Sequence, residues 1–260
     1  MNLKGAVCIV TGAATGAGAA CAAQLARKGA RVVVNYSRSE AEARETVKAC
    51  AAAGGEAVLG KGDVASDADC RGLARTALDK WGKIDVLINN AGITKYAAAI
   101  DLDALNAEDF QRVYAVNVIG PYQMIRACAP SMNKQGAGAV VNISSVSGVI
   151  GVGSSTAYVA SKGALNVMTL ALARALAPTI RVNTVCPGMI ETRWHKSRFD
   201  AEGYAKFKAD YEKMVPLGKA ASPDDVAEVA VWLVEGANLV TGECVFVDSG
   251  WHLGFGSRGR

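Results

Sequence analysis

A tyrosine and a lysine stand four positions apart in the segment STAYVASKGA, residues 154–163. If this segment is helical, Tyr158 and Lys162 share one face, with their side chains about 5–6 Å apart. At about 5 Å and an effective dielectric constant of about 20, a lysine charge stabilises a phenolate by roughly 3 kcal/mol. That energy corresponds to about two pKa units, so we expect the pKa of Tyr158 to lie near ~8 and its phenol to act as a general acid or base.

The spacing by itself does not identify a reactive pair, because Tyr204 and Lys208 repeat it in YAKFK. That second pair lies in a charged segment, which is typical of a solvated amphipathic helix. A reactive role for Tyr158 therefore depends on what the rest of the fold brings to it.

A glycine-rich segment near the amino terminus has the features of a phosphate-binding loop. TGAATGAG follows the apolar run AVCIV directly and opens an alanine-rich helical segment. Gly12, Gly16 and Gly18 lack Cβ atoms, which lets the backbone turn tightly, approach a diphosphate and pack against the sheet. The free N–H groups at the helix start then face the anion. This placement favours a dinucleotide site over the alternative, a plain tight turn.

The end of the second predicted strand bears on the choice of nucleotide. An acidic residue there normally binds the adenosine ribose hydroxyls, but the sequence reads VVVNYSRS, with Tyr36 at that position and Ser37 and Arg38 after it. A 2′-phosphate carries about −1.5 to −2 charges near neutrality, and an arginine and a serine can bind it. We therefore predict NADP(H), with NAD(H) as the alternative if Arg38 is a solvated loop residue.

Short β-branched runs alternate with longer segments of helical period along almost the whole chain. This order predicts right-handed crossovers and a doubly wound α/β Rossmann fold, with a parallel sheet of about seven strands and helices on both faces. The 260 residues are expected to form one NAD(P)-binding domain, residues 1–260. Residues 189–222 are polar and aromatic and interrupt the alternation, so we expect a substrate lid over the ligand edge of the sheet.

Composition disfavours several classes of partner and site. The chain has 28 Lys and Arg against 24 Asp and Glu, and the net charge of +4 is spread without long basic runs. This favours a mixed solvated surface over nucleic-acid or membrane binding. The seven cysteines are scattered singly, and there are only two histidines, which indicates reduced thiols and no metal site. The apolar run near Met1 is too short for a signal sequence, so we expect a cytoplasmic protein.

Further segments carry a family resemblance. TGAATGAG, NNAG at 89–92, Asn117, Ser145, YVASK and PGMIET at 187–192 occur in the order and spacing of the classical short-chain dehydrogenase/reductase family. The sequence resembles this family from about residue 3 to residue 250, and within it the 3-oxoacyl-carrier-protein reductases and related carbonyl reductases. Ala17 departs from the pattern, since a larger apolar residue is usual there, and this is expected to loosen local packing without abolishing the loop.

The resemblance implies an enzyme that transfers a hydride between a nicotinamide and a small-molecule carbonyl/alcohol substrate, with Tyr158 moving the proton. It also implies that Lys162 bonds the nicotinamide ribose, that Ser145 donates a hydrogen bond to the substrate oxygen, and that the Asn117 main chain holds a water. The cofactor contacts implied are Gly12, Thr15, Gly16, Ala17, Gly18, Tyr36, Ser37, Arg38, Asp63, Val64, Asn89, Ala91, Gly92, Tyr158, Lys162, Pro187, Gly188, Ile190 and Thr192. The helix holding Tyr158 is apolar nearly all round, which predicts that it packs on a second copy of the chain. The resemblance implies a homotetramer.

Several positions have a second interpretation. The resemblance places Asp63 beside the adenine, but a turn-forming aspartate is the alternative. Pro121 lacks an N–H for the carbonyl of Asn117 four residues earlier, which we expect to leave that carbonyl free for the water; an ordinary proline kink is the alternative. We expect His195 to be a lid residue and Cys186 a buried, inert thiol.

Two other functions stay open. A nucleotide-sensing Rossmann protein keeps this fold without catalysis, although the presence of Asn117, Ser145, Tyr158 and Lys162 together disfavours it. An NAD(H)-preferring dehydrogenase of a sugar or another secondary alcohol would use the same catalytic residues.

Overall fold

A parallel β-sheet runs through the structure, a computed structural model that describes residues 1–254. Its strands are β1 (Val7–Val10), β2 (Arg31–Tyr36), β3 (Glu56–Lys61), β4 (Val86–Asn89), β5 (Gly138–Ile143), β6 (Ile180–Pro187) and β7 (Cys244–Val247). They lie in the order β3-β2-β1-β4-β5-β6-β7, so the direction of winding reverses between β1 and β4. The prediction of a doubly wound Rossmann fold with about seven parallel strands is confirmed.

Helices cover both faces of the sheet. They are α1 (Gly16–Arg27), α2 (Glu40–Ala52), α3 (Asp67–Trp81), α4 (Ala107–Tyr114), α5 (Gly120–Gln135), α6 (Ser147–Ile150), α7 (Thr156–Leu176), α8 (Arg193–Lys196), α9 (Ala201–Met214) and α10 (Pro223–Glu235). Residues of α1, α2 and α10 form the core on one face, and residues of α3, α5 and α7 form the core on the other. None of the helices within residues 1–254 is both long and apolar enough to span a membrane.

The central strand β1 shows why its sequence is continuously apolar. Successive side chains of a strand point to opposite faces. Val7 and Ile9 therefore belong to the core cluster on one face, and Cys8 and Val10 to the cluster on the other. Because helices cover both faces, all four residues are fully buried.

Helices α4 and α5 are joined by a π-helical turn, Ala115–Ile119. Pro121 lies in the first turn of α5, where a missing N–H is tolerated. The π-turn places Asn117, which is fully buried, just ahead of that proline. Apolar periodicity does not distinguish such a turn from a continuous helix, and single π-turns inside helices are frequent at functional sites.

The segment 189–222, expected as an insertion, leaves the sheet after β6 and carries α8 and α9. It returns at Ala221, which forms an isolated bridge with Ile190. A small core of its own holds it together, with Tyr211 at 5% and Val215 at 0% exposure. The Tyr211 hydroxyl accepts from the Met189 N–H at 3.2 Å, which ties α9 to the start of the segment.

Candidate active site

A cavity of about 690 Å³ lies along the carboxyl ends of the strands, the edge where doubly wound sheets bind ligands. The predicted site residues that line it are Gly12, Thr15, Gly16, Ala17, Tyr36, Ser37, Arg38, Asp63, Val64, Ala91, Gly92, Ser145, Tyr158, Lys162, Pro187, Gly188, Ile190 and Thr192. Gly18, Asn89 and Asn117 lie behind the cavity wall. Gly18 packs against the Gly12 carbonyl and Asn90, and Asn89 bonds Asn142, so both support the cavity wall, and their contact with a cofactor stays a prediction.

The glycine loop at one end of the cavity is fixed by side chains from neighbouring strands. Gly12 and Gly16 have φ angles of 59° and 61°, which favour glycine. The Gly12 N–H donates to Asn35 Oδ1 at 3.0 Å, and Asn90 Nδ2 donates to the Gly12 carbonyl at 3.0 Å. Helix α1 then begins with Thr15 as its N-cap, and because this residue makes no side-chain cap bond, the first N–H groups of α1 keep their capacity to bind an anion.

Three polar residues that sequence reasoning missed hold this loop, namely Thr11, Asn35 and Asn90. The Thr11 hydroxyl accepts from the N–H groups of Asn90 and Ala91 at 2.9 and 3.0 Å, which joins β1 to β4. Asn35 Nδ2 donates to two carbonyls at the end of β3, at 3.1 and 3.0 Å. The available signal was a polar residue at the buried end of an apolar strand, where burial requires hydrogen-bond partners.

The end of β2 forms the adenosine side of the cavity, with Ser37 and Arg38 on its wall. Arg193 of α8 reaches this region from the insertion and donates to Glu42 Oε1 and to Ser39 Oγ, both at 3.0 Å. These partners lie about 150 positions apart, which no sequence pattern indicates. Asp63 Oδ1 accepts from the Ala65 N–H at 3.0 Å, so the aspartate both forms a turn and borders the cavity.

The predicted catalytic side chains meet at the end of β5. Ser155 caps α7 by accepting from the Tyr158 N–H at 3.2 Å, and this starts the helix that presents Tyr158 and Lys162 on one side. The Lys162 amine is 5.6 Å from the centre of the Tyr158 ring and donates to the Ile143 carbonyl at 3.0 Å. The Ser144 hydroxyl donates to the Lys162 carbonyl at 3.2 Å, which fixes α7 against β5.

The predicted pKa of Tyr158 is wrong for this structure. Burial raises the pKa of Tyr158 to about 12, and hydrogen bonding with Ser145 lowers it only in part. Burial also lowers the pKa of Lys162 to about 8, so near neutrality its ammonium charge is not fully retained. The expected value near ~8 counted the lysine charge and left out the cost of removing a phenolate from water. Tyr158 keeps part of its surface open to the cavity, so a bound molecule can change this balance.

The side chain of Asn117 has a structural role. Its Nδ2 donates to the Ile93 carbonyl and to Ser161 Oγ, both at 3.0 Å, and its Oδ1 accepts from the Ile93 N–H at 2.9 Å. A Cβ on Gly92 would lie 3.5 Å from Asn117 Oδ1 and 3.7 Å from Lys162 Nζ, so the loop after β4 passes close to the amine. Because the amide is fully used, a role of Asn117 in proton transfer must come from its main chain.

Asn89 belongs to a buried polar network beneath the cavity. Its Nδ2 donates to Asn142 Oδ1 at 2.9 Å, and Asn142 Nδ2 donates to Thr169 Oγ1 at 2.9 Å. The Thr169 and Thr184 hydroxyls lie 2.7 Å apart. These bonds join β4, β5, β6 and α7, and they fix the position of the helix that carries Tyr158.

The other end of the cavity is built from the insertion. The Trp194 ring lies 6.0 Å from the Tyr158 ring, and the Tyr96 hydroxyl donates to the Trp194 carbonyl at 3.0 Å. The His195 ring lies 5.4 Å from the Phe207 ring at a tilt of 38°, and burial lowers the pKa of His195 to about 4. Within the described residues His195 Nδ1 has no hydrogen-bond partner, so no acceptor fixes the tautomer of the ring from that side.

Cys186 is a buried thiol at the edge of the site. It is fully buried, and its Sγ lies 3.8 Å from Asn166 Oδ1. Hydrogen bonding with Cys244, followed by burial, raises the pKa of the Cys186 thiol well above its usual range. The structure confirms that Cys186 is buried; its inertness stays a prediction, consistent with a disfavoured thiolate.

The fold and this arrangement define a nucleotide-binding oxidoreductase, and comparison with known proteins agrees. Residues 12–252 match the family described as Enoyl-(Acyl carrier protein) reductase. A Streptomyces violaceoruber protein named as a ketoacyl reductase of the granaticin polyketide synthase is 39% identical over 247 residues, covering 95% of this chain and 96% of that protein.

Two solved structures share the fold closely. A 7α-hydroxysteroid dehydrogenase in complex with NADH and 7-oxo glycochenodeoxycholic acid is 31% identical, with a TM-score of 0.87 over 96% of each chain. A short-chain type dehydrogenase/reductase from Mycobacterium marinum gives the same values, 31%, 0.87 and 96% of each chain. The present chain belongs to the classical short-chain dehydrogenase/reductase family. Members are NAD(P)(H)-binding oxidoreductases that interconvert alcohols and carbonyl compounds, and the predicted family is confirmed.

Proposed function

We propose that this protein is an NADP(H)-dependent reductase or dehydrogenase acting on a carbonyl/alcohol pair, with Tyr158 as general acid and base. The observation that supports this most is the meeting of Tyr158, Ser145 and the buried Lys162 on one wall of a cavity that begins at the glycine loop. A nucleotide-sensing protein would not need a phenol, a hydroxyl and an amine at the point where a nicotinamide would lie.

The residues present fit a dinucleotide. The cavity volume of about 690 Å³ lies within the usual range of ligand sites, and the glycine loop offers N–H groups to a diphosphate. Lys162 is 3% exposed, and its amine has no carboxylate partner within 4 Å among the described residues, which suits an amine that hydrogen-bonds ribose hydroxyls. Bound NADP(H) would supply or accept the hydride.

The chain's own residues would move the proton. In carbonyl reduction, Ser145 donates a hydrogen bond to the substrate oxygen, and the Tyr158 hydroxyl then gives its proton to that oxygen. Lys162 stabilises the resulting phenolate. Lys162 then passes a proton to the phenolate, and a water on the Asn117 carbonyl, ahead of Pro121, replaces that proton from solvent. A nearby water in a high-resolution crystal structure would support this relay, and a main-chain hydrogen bond in its place would contradict it.

The substrate is proposed to be a ketone with an apolar body. Relatives are named for ketoacyl and hydroxysteroid substrates, and Trp194 faces Tyr158 across the cavity. We further propose that residues 1–260 form one domain, with 189–222 as the substrate lid. The free thiols at the seven cysteines fit a cytoplasmic location, which cell fractionation can check.

The experiment that tests this function follows NADPH and NADH oxidation with a panel of ketones, 3-oxoacyl thioesters, sugars and quinones. We expect NADPH-dependent reduction of at least one ketone or 3-oxoacyl thioester. Tight nucleotide binding without oxidation by any member of the panel would favour the nucleotide-sensing alternative.

Replacing Arg38 with glutamine is expected to raise the KM for NADPH about tenfold and to leave the KM for NADH nearly unchanged. A charge-assisted hydrogen bond to a phosphate is lost, and its contribution is reduced here because Arg38 is exposed. Arg193 offsets the charge of the nearby Glu42, so the phosphate would meet a net positive wall. Steady-state kinetics with both nucleotides measures the effect.

The control for this substitution is Arg27→Gln, which removes an exposed arginine from the far end of α1. It should leave both KM values unchanged. An equal rise of the KM for NADPH and the KM for NADH in Arg38→Gln would show that Arg38 does not contact a 2′-phosphate.

We propose a homotetramer as the working assembly. Ile119 and Tyr122 at the start of α5, and Val167 and Leu170 on α7, are each about half exposed or more. Burying such side chains in a subunit interface is favourable by about 1.5–3 kcal/mol each. Light scattering should give four times the chain mass of 26.9 kDa; the mass of a single chain at micromolar concentration would contradict the proposal.

A further inference from the structure

An arginine with no carboxylate partner among the described residues packs on Tyr96, which lines the proposed substrate cavity. Arg198 lies between α8 and α9, and its Cζ is 3.8 Å from the centre of the Tyr96 ring. Its guanidinium has no carboxylate within 4 Å among the described residues, whereas Lys208 in the same segment lies 2.9 Å from Glu191. The side chain is exposed, so a ligand can reach it.

Tyr96 fixes the position of this arginine relative to the reactive phenol. The Tyr96 hydroxyl donates to the Trp194 carbonyl at 3.0 Å, and the Trp194 ring lies 6.0 Å from the Tyr158 ring. Stacking on an aromatic face occupies the flat surface of a guanidinium and leaves its N–H edge open. Arg198, which also hydrogen-bonds with Tyr96, therefore holds its remaining donors beside Tyr96 and open to solvent.

A second cavity of about 360 Å³ adjoins the main one at this point. It is lined by Tyr96, Ala97, Ala98, Gly153, Ser154 and Arg198. Tyr96 lines both cavities, so the second one borders the main one at this side chain. Apart from Ser154, Tyr96 and Arg198, the residues that line this cavity are small and apolar.

We propose that Arg198 binds a carboxylate at the far end of the substrate, and that the protein acts on oxo acids in which an apolar spacer separates the ketone from the carboxylate. This inference rests on the proposed function. A planar guanidinium matches a carboxylate with two parallel hydrogen bonds. The apolar spacer lies against Trp194 and the walls of the second cavity, and the ketone meets Tyr158 and Ser145.

The test compares an oxononanoic acid, with its ketone at the penultimate carbon, and the primary amide of the same acid. We expect the wild-type protein to have a kcat/KM for the acid at least about tenfold above that for the amide. Arg198→Gln should remove about tenfold of the acid's kcat/KM and leave the amide's nearly unchanged. Arg198→Lys should have a kcat/KM for the acid between those of the wild type and Arg198→Gln, since lysine keeps the positive charge but lacks the planar guanidinium.

Lys206→Gln is the matched control, because it removes another exposed positive charge from the lid away from both cavities. It should not change the ratio between acid and amide. Equal losses for acid and amide in Arg198→Gln, or a ratio near one in the wild type, would overturn the inference while leaving the proposed function intact.

If neither the oxo acid nor its amide is reduced, calorimetry of oxo acid binding to the NADP⁺-bound protein still tests the carboxylate site. Binding that weakens about tenfold in Arg198→Gln supports the carboxylate site whatever the turnover. Absence of binding by the wild-type complex overturns the inference. Absence of oxidation with every ketone, together with intact nucleotide binding, counts against the proposed function instead.

Discussion

Tyr158→Phe is expected to lower kcat for ketone reduction by about 10²–10⁴-fold, because the proton donor to the substrate oxygen is removed. NADPH affinity should change little, since the substitution keeps the ring beside Trp194 and the main-chain hydrogen bond to Ser155 that caps α7. Stopped-flow NADPH oxidation and a separate fluorescence titration of NADPH binding measure the two effects.

The control for this substitution is Tyr204→Phe. Tyr204 repeats the spacing to a lysine, and its hydroxyl is buried without a hydrogen-bond partner among the described residues. Its removal should leave kcat unchanged. Wild-type turnover in Tyr158→Phe would remove this tyrosine from proton transfer, and loss of nucleotide binding would give it a structural role instead.

Gly18→Ala is expected to weaken NADPH binding by tenfold or more and to lower the free energy of unfolding by about 1–3 kcal/mol. A Cβ there would lie 2.4 Å from Asn90 Nδ2 and 2.5 Å from the Gly12 carbonyl. These two groups form the 3.0 Å hydrogen bond that fixes the glycine loop. Helix α1 or the loop must move, and the N–H groups that would face the diphosphate move with it. Urea unfolding and NADPH titration measure the two losses.

Gly72→Ala supplies the matched control. Gly72 lies inside α3, and a Cβ added there would meet no atom within 4 Å. Alanine in a helix interior is favoured over glycine by about 0.5–1 kcal/mol, so this variant should be as stable as the wild type or more stable. A Gly18→Ala protein with unchanged NADPH affinity would show that the loop tolerates a Cβ and would contradict the packing described here.

The pH dependence of turnover follows from which form of the phenol reacts. Ketone reduction needs the neutral phenol, so its rate should fall as pH rises through the pKa of Tyr158 in the ternary complex. Alcohol oxidation needs the phenolate, and its rate should rise through the same pKa. If the pKa stayed at about 12, as burial sets it without nucleotide, oxidation would still be increasing at strongly alkaline pH.

Much of the fold could be predicted because its signals are local. Continuous apolar runs indicate strands buried on both faces, and β1 is fully buried on both sides of the sheet. The glycine loop could also be placed, since Gly12 and Gly16 do adopt the positive φ angles that glycine permits. The π-turn at Ala115–Ile119 could not, because its apolar pattern is that of an ordinary helix.

The candidate site was less predictable where it depends on distant contacts and on burial. Arg193 meets Ser39 across 154 positions, and Arg198 stacks on Tyr96, neither of which leaves a periodic signal. The predicted pKa of Tyr158 was wrong because the sequence gives the spacing of the charged residues but not how deeply each one is buried. Asn117 was placed near the site, but the use of its amide to hold Ile93 depends on tertiary structure.

The most direct measurement is an ultraviolet titration of the Tyr158 phenol, taken as the wild-type absorbance minus that of Tyr158→Phe, with and without NADP⁺. Without nucleotide the pKa should be about 12. With NADP⁺ bound it should fall, because the positive charge of the oxidised nicotinamide would stabilise the phenolate. A pKa that is the same with and without NADP⁺ would contradict the assignment of Tyr158 as the proton-transfer group of a nucleotide-completed site.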